Sequence, residues 1–289
     1  PPDLQTPSVS TVNTKTTRNL ASLKLTYNFA PNHSLIGTFF QDPGKDTGAI
    51  IDADHSINGV PSSYLGRKDT GGRDFALRYQ GILGGNWVLS AQLARHQEEN
   101  SVSPASGDGD TIQYRCYFNN PILAENCQNS GGYQTGGFGL IELKTFKRDM
   151  FTASVTRLIS RHEIKAGVEF ERESADVVKR QSGGQQVDKF FYFDAPVLYV
   201  HHYWSTPDST VDNAPVSALN ANPKHRNTTL YLQDKWSIRD NVVLSAGLRW
   251  DRQEIIDASG VRQIDLKDAL APRVGLTWDP SGDHRPTAY

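Results

Sequence analysis

With 289 residues, 37% hydrophobic and 21% charged, the chain has room for one large domain or two small ones and is too regularly patterned to be disordered. A formal net charge of −2, with basic residues thinly spread, gives no nucleic-acid-binding face. No run of about 18 apolar residues occurs, which excludes spanning helices; a mean hydropathy of −0.52 does not exclude spanning strands, because alternation dilutes hydropathy.

The first ten residues, PPDLQTPSVS, have neither a basic start nor an apolar core, so no signal peptide is visible. Residues 1–17 read as an irregular segment rich in Thr, Ser and Pro. A first hairpin follows, in which Leu23, Leu25, Tyr27 and Phe29 alternate with Lys24, Thr26 and Asn28 before a turn at Pro31 and Asn32. Period two means extended chain, with successive side chains on opposite faces. After a polar segment, 42–71, the pattern restarts with Phe75, Leu77 and Tyr79, turns at Gly84 and Gly85, and returns with Trp87, Leu89, Ala91 and Leu93. A second long loop, 98–137, holds both cysteines. A third hairpin carries Phe151, Ala153 and Val155, turns at Ser160 and Arg161, and returns with Ile164, Ala166, Val168 and Phe170. Beyond the loop 175–226, Leu230, Leu232 and Trp236 lead through a turn near Ile238 to Asn241 into Val242, Leu244, Ala246, Leu248 and Trp250. A final loop, 252–270, precedes Pro272, Val274, Leu276 and Trp278.

Tight turns and long loops alternate strictly, so the turns fall at one end of the sheet and the loops at the other. Unstructured loops beyond about 12 to 15 residues are uncommon in compact soluble domains, whereas outer-membrane barrels pair short periplasmic turns with long extracellular loops. Aromatic placement agrees: Phe29, Trp87, Trp236 and Trp278 lie beside tight turns and Trp250 near the far end of its strand, as an interfacial girdle requires. The expected fold is therefore all-β, an antiparallel up-and-down transmembrane barrel over residues 18–289. About nine strands are counted, and an odd number leaves open edges that hydrocarbon does not tolerate. The barrel is thus expected to be incomplete and the chain a fragment.

The stretch LYLQDKWSIRDNVVLSAGLRWD, from Leu230 to Asp251, and LAPRVGLTWDPSGD, from Leu270 to Asp283, resemble the barrel of TonB-dependent outer-membrane receptors. LTYNFAPNHSLIGTFFQDPG and HEIKAGVEFER are similar to the Oar-like branch of that family, and the resemblance covers the chain from about Arg18 onward. It implies a barrel of about 22 strands around an N-terminal plug, in the outer membrane of a Gram-negative-type bacterium, importing a scarce ligand with energy passed on by TonB. No plug and no TonB box are recognisable in the sequence, so the TonB complex is expected to act through a plug domain outside this chain. The implied partners are outer-membrane lipid and an extracellular ligand that the sequence does not name.

Individual residues fit this frame. Lys24, Arg78, Lys165, Glu169, Arg249 and Asp251 share the polar parity and read as a hydrated lumen wall. Asp234 is the exception, lying on the apolar parity between Leu232 and Trp236, either near the interface where a carboxylate costs about 0 to 1 kcal/mol or turned inward by a bulge. Cys116 and Cys127 enclose a short loop segment and suit a local disulfide; a zinc site would need a second ligand pair that is missing. His201, His202, Tyr203 and Trp204 form a loop cluster of the type that binds metal or a planar ligand, although such clusters more often pack on their own loop. Asp52, Asp54 and Asn58 before Gly59, and Asp108 with Asp110, lack the closing Glu of a calcium loop. The glycine-rich stretch from Gly131 to Gly139 reads as a flexible lead-in to a strand. His162, Glu163, Asp234 and Arg249 are explained by turn position and parity, so no catalysis, cofactor or resident metal is expected. The rival readings are a surface or adhesion protein whose barrel only anchors the loops and a soluble all-β carbohydrate-binding module.

Overall fold

The computed structural model describes residues 11–105, 109–118, 133–191, 198–205 and 215–280. Its principal sheet is built on long hairpins. β1 (Lys15–Arg18) and β2 (Ala21–Ala30) run in line, as do β3 (His33–Gln41) and β4 (Gly44–Ala49), both of which pair with β5 (Leu65–Leu83). The β3/β4 break contains Pro43, whose missing N–H interrupts a ladder. β6 (Trp87–Pro104), β9 (Leu140–Ile159) and β10 (His162–Gln181) follow, then β15 (Leu219–Ala221) and β16 (Lys224–Arg239) split at Pro223, and finally β17 (Val242–Ile256) and β18 (Arg262–Trp278). Taking collinear segments together, the order β2-β3-β5-β6-β9-β10-β16-β17-β18 gives nine antiparallel strands among the described residues, with open edges at β2 and β18. The tight turns are where the sequence puts them; Gly84 and Gly85 supply positive φ angles of 54° and 73°, which a short hairpin turn needs.

Register decides which faces form. Directly opposed residues of an antiparallel pair lie on one face, and Leu93 opposes Phe151, Phe151 opposes Phe170, Val168 opposes Leu230, Leu232 opposes Leu248 and Ala246 opposes Val274. One apolar face therefore runs unbroken from strand to strand. Nothing covers it: Leu25 is 62% exposed and Val274 78%. The total accessible surface, 19126 Å², far exceeds the roughly 12,000 Å² expected of a soluble monomer of this mass. A sandwich would seal those side chains between two sheets, so the soluble reading fails.

The strands run further than alternation alone indicates. β9 and β10 have 20 residues each, about twice the 9–11 that cross a bilayer. The expected loop 252–270 shrinks to the turn between Ile256 and Arg262, residues 15–17 belong to β1, and the ranges 42–71, 98–137 and 175–226 all begin or end in strand. The reason is physical. Past the apolar band both faces carry charge, so the two-residue hydropathy period disappears while the backbone ladder continues.

Buried residues gather at the loop end. Ile50, Val102, Phe138 and Ile141 form a small core, roofed by a second sheet of order β12-β11-β7-β8, made of β7 (Gln113–Phe118), β8 (Tyr133–Gly136), β11 (Gln186–Phe191) and β12 (Leu198–His202), with β7 and β11 parallel. The described part of the glycine-rich stretch, residues 133–139, is packed rather than flexible. Phe138 is 1% exposed, Gly136 and Gly139 hold φ of 81° and 91°, and a Cβ on Gly137 would strike the Thr111 carbonyl. Small residues there permit close backbone approach.

Candidate functional site

The polar face begins with a compact cluster. Arg249 Nε donates to Asp251 Oδ2 at 2.9 Å, its Nη2 donates to Thr229 Oγ1 at 3.2 Å, and the Thr229 hydroxyl donates to Asp251 Oδ1 at 2.5 Å. Glu169 lies 3.7 Å from Arg249 Nη2. Thr229 is fully buried beneath these groups. Beside the cluster a groove of about 610 Å³ is lined by Lys165, Glu169, Tyr231, Gln233, Arg249 and Arg273, among others. Tyr231 fits because Gly167 opposite it has no Cβ, which would otherwise meet the phenol ring.

Four of the six residues expected on one wall, Lys165, Glu169, Arg249 and Asp251, are thus gathered around this groove and its flanking cluster, and Arg78 and Lys24 stand on the same face further along the sheet, where Arg78 Nε donates to Gln92 Oε1 at 2.7 Å. Above them runs a charged ladder that alternation did not reveal. His96 pairs with Asp74 at 2.7 Å, Arg148 bonds Glu171 and lies 3.6 Å from Glu173, and Glu173 pairs with His225 at 3.2 Å.

On the apolar face the aromatics near the tight turns are held by specific partners. The Arg157 guanidinium sits 4.3 Å over the Trp87 ring, Phe29 packs against Tyr79 at 6.3 Å, and Trp236 stacks on His162 at 5.3 Å. Trp278 lies opposite Val242, in the adjoining row of β18. At the far end Trp250 donates its indole N–H to Lys267 O at 2.8 Å. Asp234 stays on this face with no bulge beside it, because the register from His162 to Ser174 is continuous; His162 Nδ1 donates to its Oδ2 at 2.7 Å.

The loop cap separates residues that the sequence sets side by side. His201 and His202 are successive on β12, so their rings leave opposite faces: His201 bonds Gln185 and His202 bonds Asp188, each at 2.9 Å. Tyr203 is exposed, and Trp204 of β13 (Trp204–Ser205) pairs through its backbone with Val216 of β14 (Pro215–Val216). The four do not converge, and no cluster of three His, Cys, Asp or Glu suited to a metal occurs among the described residues. Asp52 is likewise occupied. Burial pushes its carboxyl up, but the Asp54 and His55 amides and the His55 ring outweigh that and hold it below the usual carboxylate value. His55 is itself buried, bonded to Leu140 O at 2.9 Å and packed on Phe138 at 4.3 Å. Cys116 is buried and carries no free thiol; Cys127, like Asp108, lies outside the described residues. Sequence reasoning placed Thr229 only on the polar parity of its strand and Phe138 only at the start of a hairpin, and missed the burial of both, together with that of His55 and Gln113, which lie in stretches without period.

An outer membrane beta barrel domain model matches residues 2–266. The chain belongs to that family. Membership puts the barrel in the outer membrane of Gram-negative bacteria, the setting that an uncovered apolar face requires. Over 170 residues the barrel is 31% identical to the TonB-dependent transporter Oar of Myxococcus xanthus, an alignment taking in 55% of this chain and 16% of that protein. The chain spans about a sixth of the length of that relative. In structure the barrel is similar to the ferric citrate transporter FecA in its unliganded form (TM-score 0.54, 12% identity, 92% of this chain and 34% of that one). It is also similar to the siderophore receptor PiuA from Acinetobacter baumannii (TM-score 0.51, 12% identity, 92% of this chain and 40% of that one). Likenesses at such identity speak for the fold, and they set the open sheet against 34% and 40% of a larger chain. These relatives are transporters and receptors rather than enzymes.

Proposed function

We propose that this chain is part of the barrel of a TonB-dependent receptor that captures a scarce extracellular ligand at its loop cap and admits it along the polar face. The observation that carries the reading is the pairing of an uncovered apolar face with a charged, grooved face on the same strands. Lipid solvates the first. The second, with Arg249, Asp251, Glu169 and Lys165, is a wall that a plug domain supplied elsewhere in the polypeptide would contact. The 31% identity with a TonB-dependent transporter supports energised passage. The open edges at β2 and β18 support further strands, since unpaired backbone groups are costly in hydrocarbon.

The cap's own core suits selection, because a packed platform presents loop side chains with less ordering cost than a floppy one. Growth competition under nutrient limitation tests the reading, comparing strains with and without the gene in backgrounds with and without TonB. A receptor gives a gene-dependent advantage that vanishes without TonB. A barrel that merely anchors adhesive loops gives attachment that is indifferent to TonB.

A further inference from the structure

We propose that the apolar face carries, beside the tight turns, a binding site for a zwitterionic phosphoethanolamine headgroup of the periplasmic leaflet, with Arg157 taking the phosphate and Asp234 the ammonium. Trp87 opposes Arg157, Arg157 opposes Ile164, Ile164 opposes Asp234, and Ala246 and Val274 continue the row across β17 and β18. One cation and one anion thus stand two strands apart, about 10 Å at the usual spacing of neighbouring strands. Only Ile164 lies between them. Toward the turns the next row is Ile159, His162, Trp236, Leu244 and Leu276.

Both charges have unused hydrogen-bonding capacity. The Arg157 side chain makes no hydrogen bond or ion pair among the described residues, and its Nε has no partner. The Trp87 ring takes only the face of the guanidinium, at 4.3 Å, which leaves the N–H edge for an oxyanion. Asp234 Oδ2 accepts from His162 Nδ1 at 2.7 Å, Oδ1 has no hydrogen-bond partner, and the side chain is 36% exposed. A carboxylate has room for about four donors, so an ammonium can join the imidazole on it. The other charges at this end are disposed elsewhere. Arg161 donates to Ile238 O at 2.8 Å and lies 3.8 Å from Asp240, and Glu163 and Lys235 oppose each other on the polar face. Nearer the last turn Arg239 opposes Val242 and Asp279 follows Trp278, one further charge of each sign.

Height selects the leaflet and charge selects the headgroup. Arg157 lies three residues before Ser160 and Trp87 two after Gly85, so the row stands where interfacial aromatics belong and where charge costs little. Tight turns of an outer-membrane barrel face the periplasm, and the periplasmic leaflet is the phospholipid side. Arg157 and Asp234 cancel, so a net-anionic headgroup sets its charge against Asp234, and a quaternary ammonium offers Asp234 no N–H. The two-carbon bridge of phosphoethanolamine, with a charged hydrogen bond of about 2.8 Å at each end, spans Ile164. Acyl chains continue over Val155, Ala166 and Leu232, the next row toward the loops. The site stands whatever the barrel imports.

The test uses the intact receptor in detergent micelles and native mass spectrometry with three probes of matched acyl chains: phosphatidylethanolamine, phosphatidylcholine and phosphatidylglycerol. The expected result is phosphatidylethanolamine binding at least about tenfold tighter than either of the others, since charged hydrogen bonds carry that much. In Asp234→Leu the preference over phosphatidylcholine disappears. In Arg157→Gln phosphatidylethanolamine and phosphatidylcholine weaken together, while Lys235→Gln on the polar face changes neither. Equal binding of those two lipids by the native protein, phosphatidylglycerol binding as tightly as phosphatidylethanolamine, an unchanged preference in Asp234→Leu or unchanged binding in Arg157→Gln would each overturn the site. The comparison of lipids on the native protein stands even where a variant fails to fold.

Discussion

His162 Nδ1 donates a 2.7 Å hydrogen bond to Asp234 Oδ2, joining two polar groups on the apolar face beside the tight turns. The Trp236 ring stacks on the same imidazole. A carboxylate between Leu232 and Trp236 is tolerated because it has a partner and sits near the interface, where charge is cheap. Replacing His162 with Ala strands the carboxylate, and about 1–3 kcal/mol of stability should be lost. Asp234→Leu, which removes the need for a partner, should cost less. Urea unfolding in lipid vesicles distinguishes the two, and an equal loss in both variants would refute the pairing.

Parity makes a sharper contrast between neighbours. Leu232 is 56% exposed on the apolar face, opposite Ala166 and Leu248, and Gln233 stands on the polar face, opposite Lys165 and Gly247. Leu232→Arg should destabilise the bilayer-inserted barrel by about 2–4 kcal/mol, and Gln233→Arg should stay within about 0.5 kcal/mol of the parent. Similar losses at both positions would mean that the faces are misassigned.

The two ends of the sheet should face different compartments. A thiol introduced at Ser259, in the turn between β17 and β18, should react with a membrane-impermeant reagent on intact cells. One at Asp240, in a tight turn, should react only after the outer membrane is permeabilised. Mass spectrometry of the labelled peptides reads the outcome, and the reverse pattern would invert the topology.

Acid should loosen the base of the cap. At Glu142 burial pushes the carboxyl up, but hydrogen bonds from Lys144 at 2.6 Å and Lys179 at 2.5 Å outweigh it, and the group stays below its ordinary value of 4.5. A carboxylate depressed in the folded state contributes stability above its unfolded pKa and loses it as pH falls through the folded one. Amide exchange of β9 and β10 near this site should therefore rise below about pH 4.5 and more steeply in the parent than in Glu142→Gln. Parallel acid profiles would rule out the triad.

Phe138→Ala should remove the centre of the cap core at a cost of about 3–5 kcal/mol. The effect should be local, with faster proteolysis of the cap and an unchanged far-ultraviolet strand signal. Global unfolding at the same denaturant concentration would mean that cap and barrel are one cooperative unit.

What the sequence determined alone is the face of most of the membrane-length strands. Alternation in Phe151, Ala153 and Val155 or in Leu230 and Leu232 fixes parity, and parity fixes which groups meet lipid. The tight turns at Gly84 and Ser160 fix the hairpins, and the AGLRWD and APRVGLTWD segments point to the family. Where both faces turn polar the period carries no information, so the true extent of β9, β10, β17 and β18 appeared only in the structure. The same holds for the cap, whose parallel β7/β11 pair and buried His55 and Phe138 join residues far apart in the chain. The row of Trp87, Arg157, Ile164 and Asp234 belongs to this second class: an arginine and a carboxylate from separate hairpins come to flank one isoleucine only through register, a property of paired strands and of no single one.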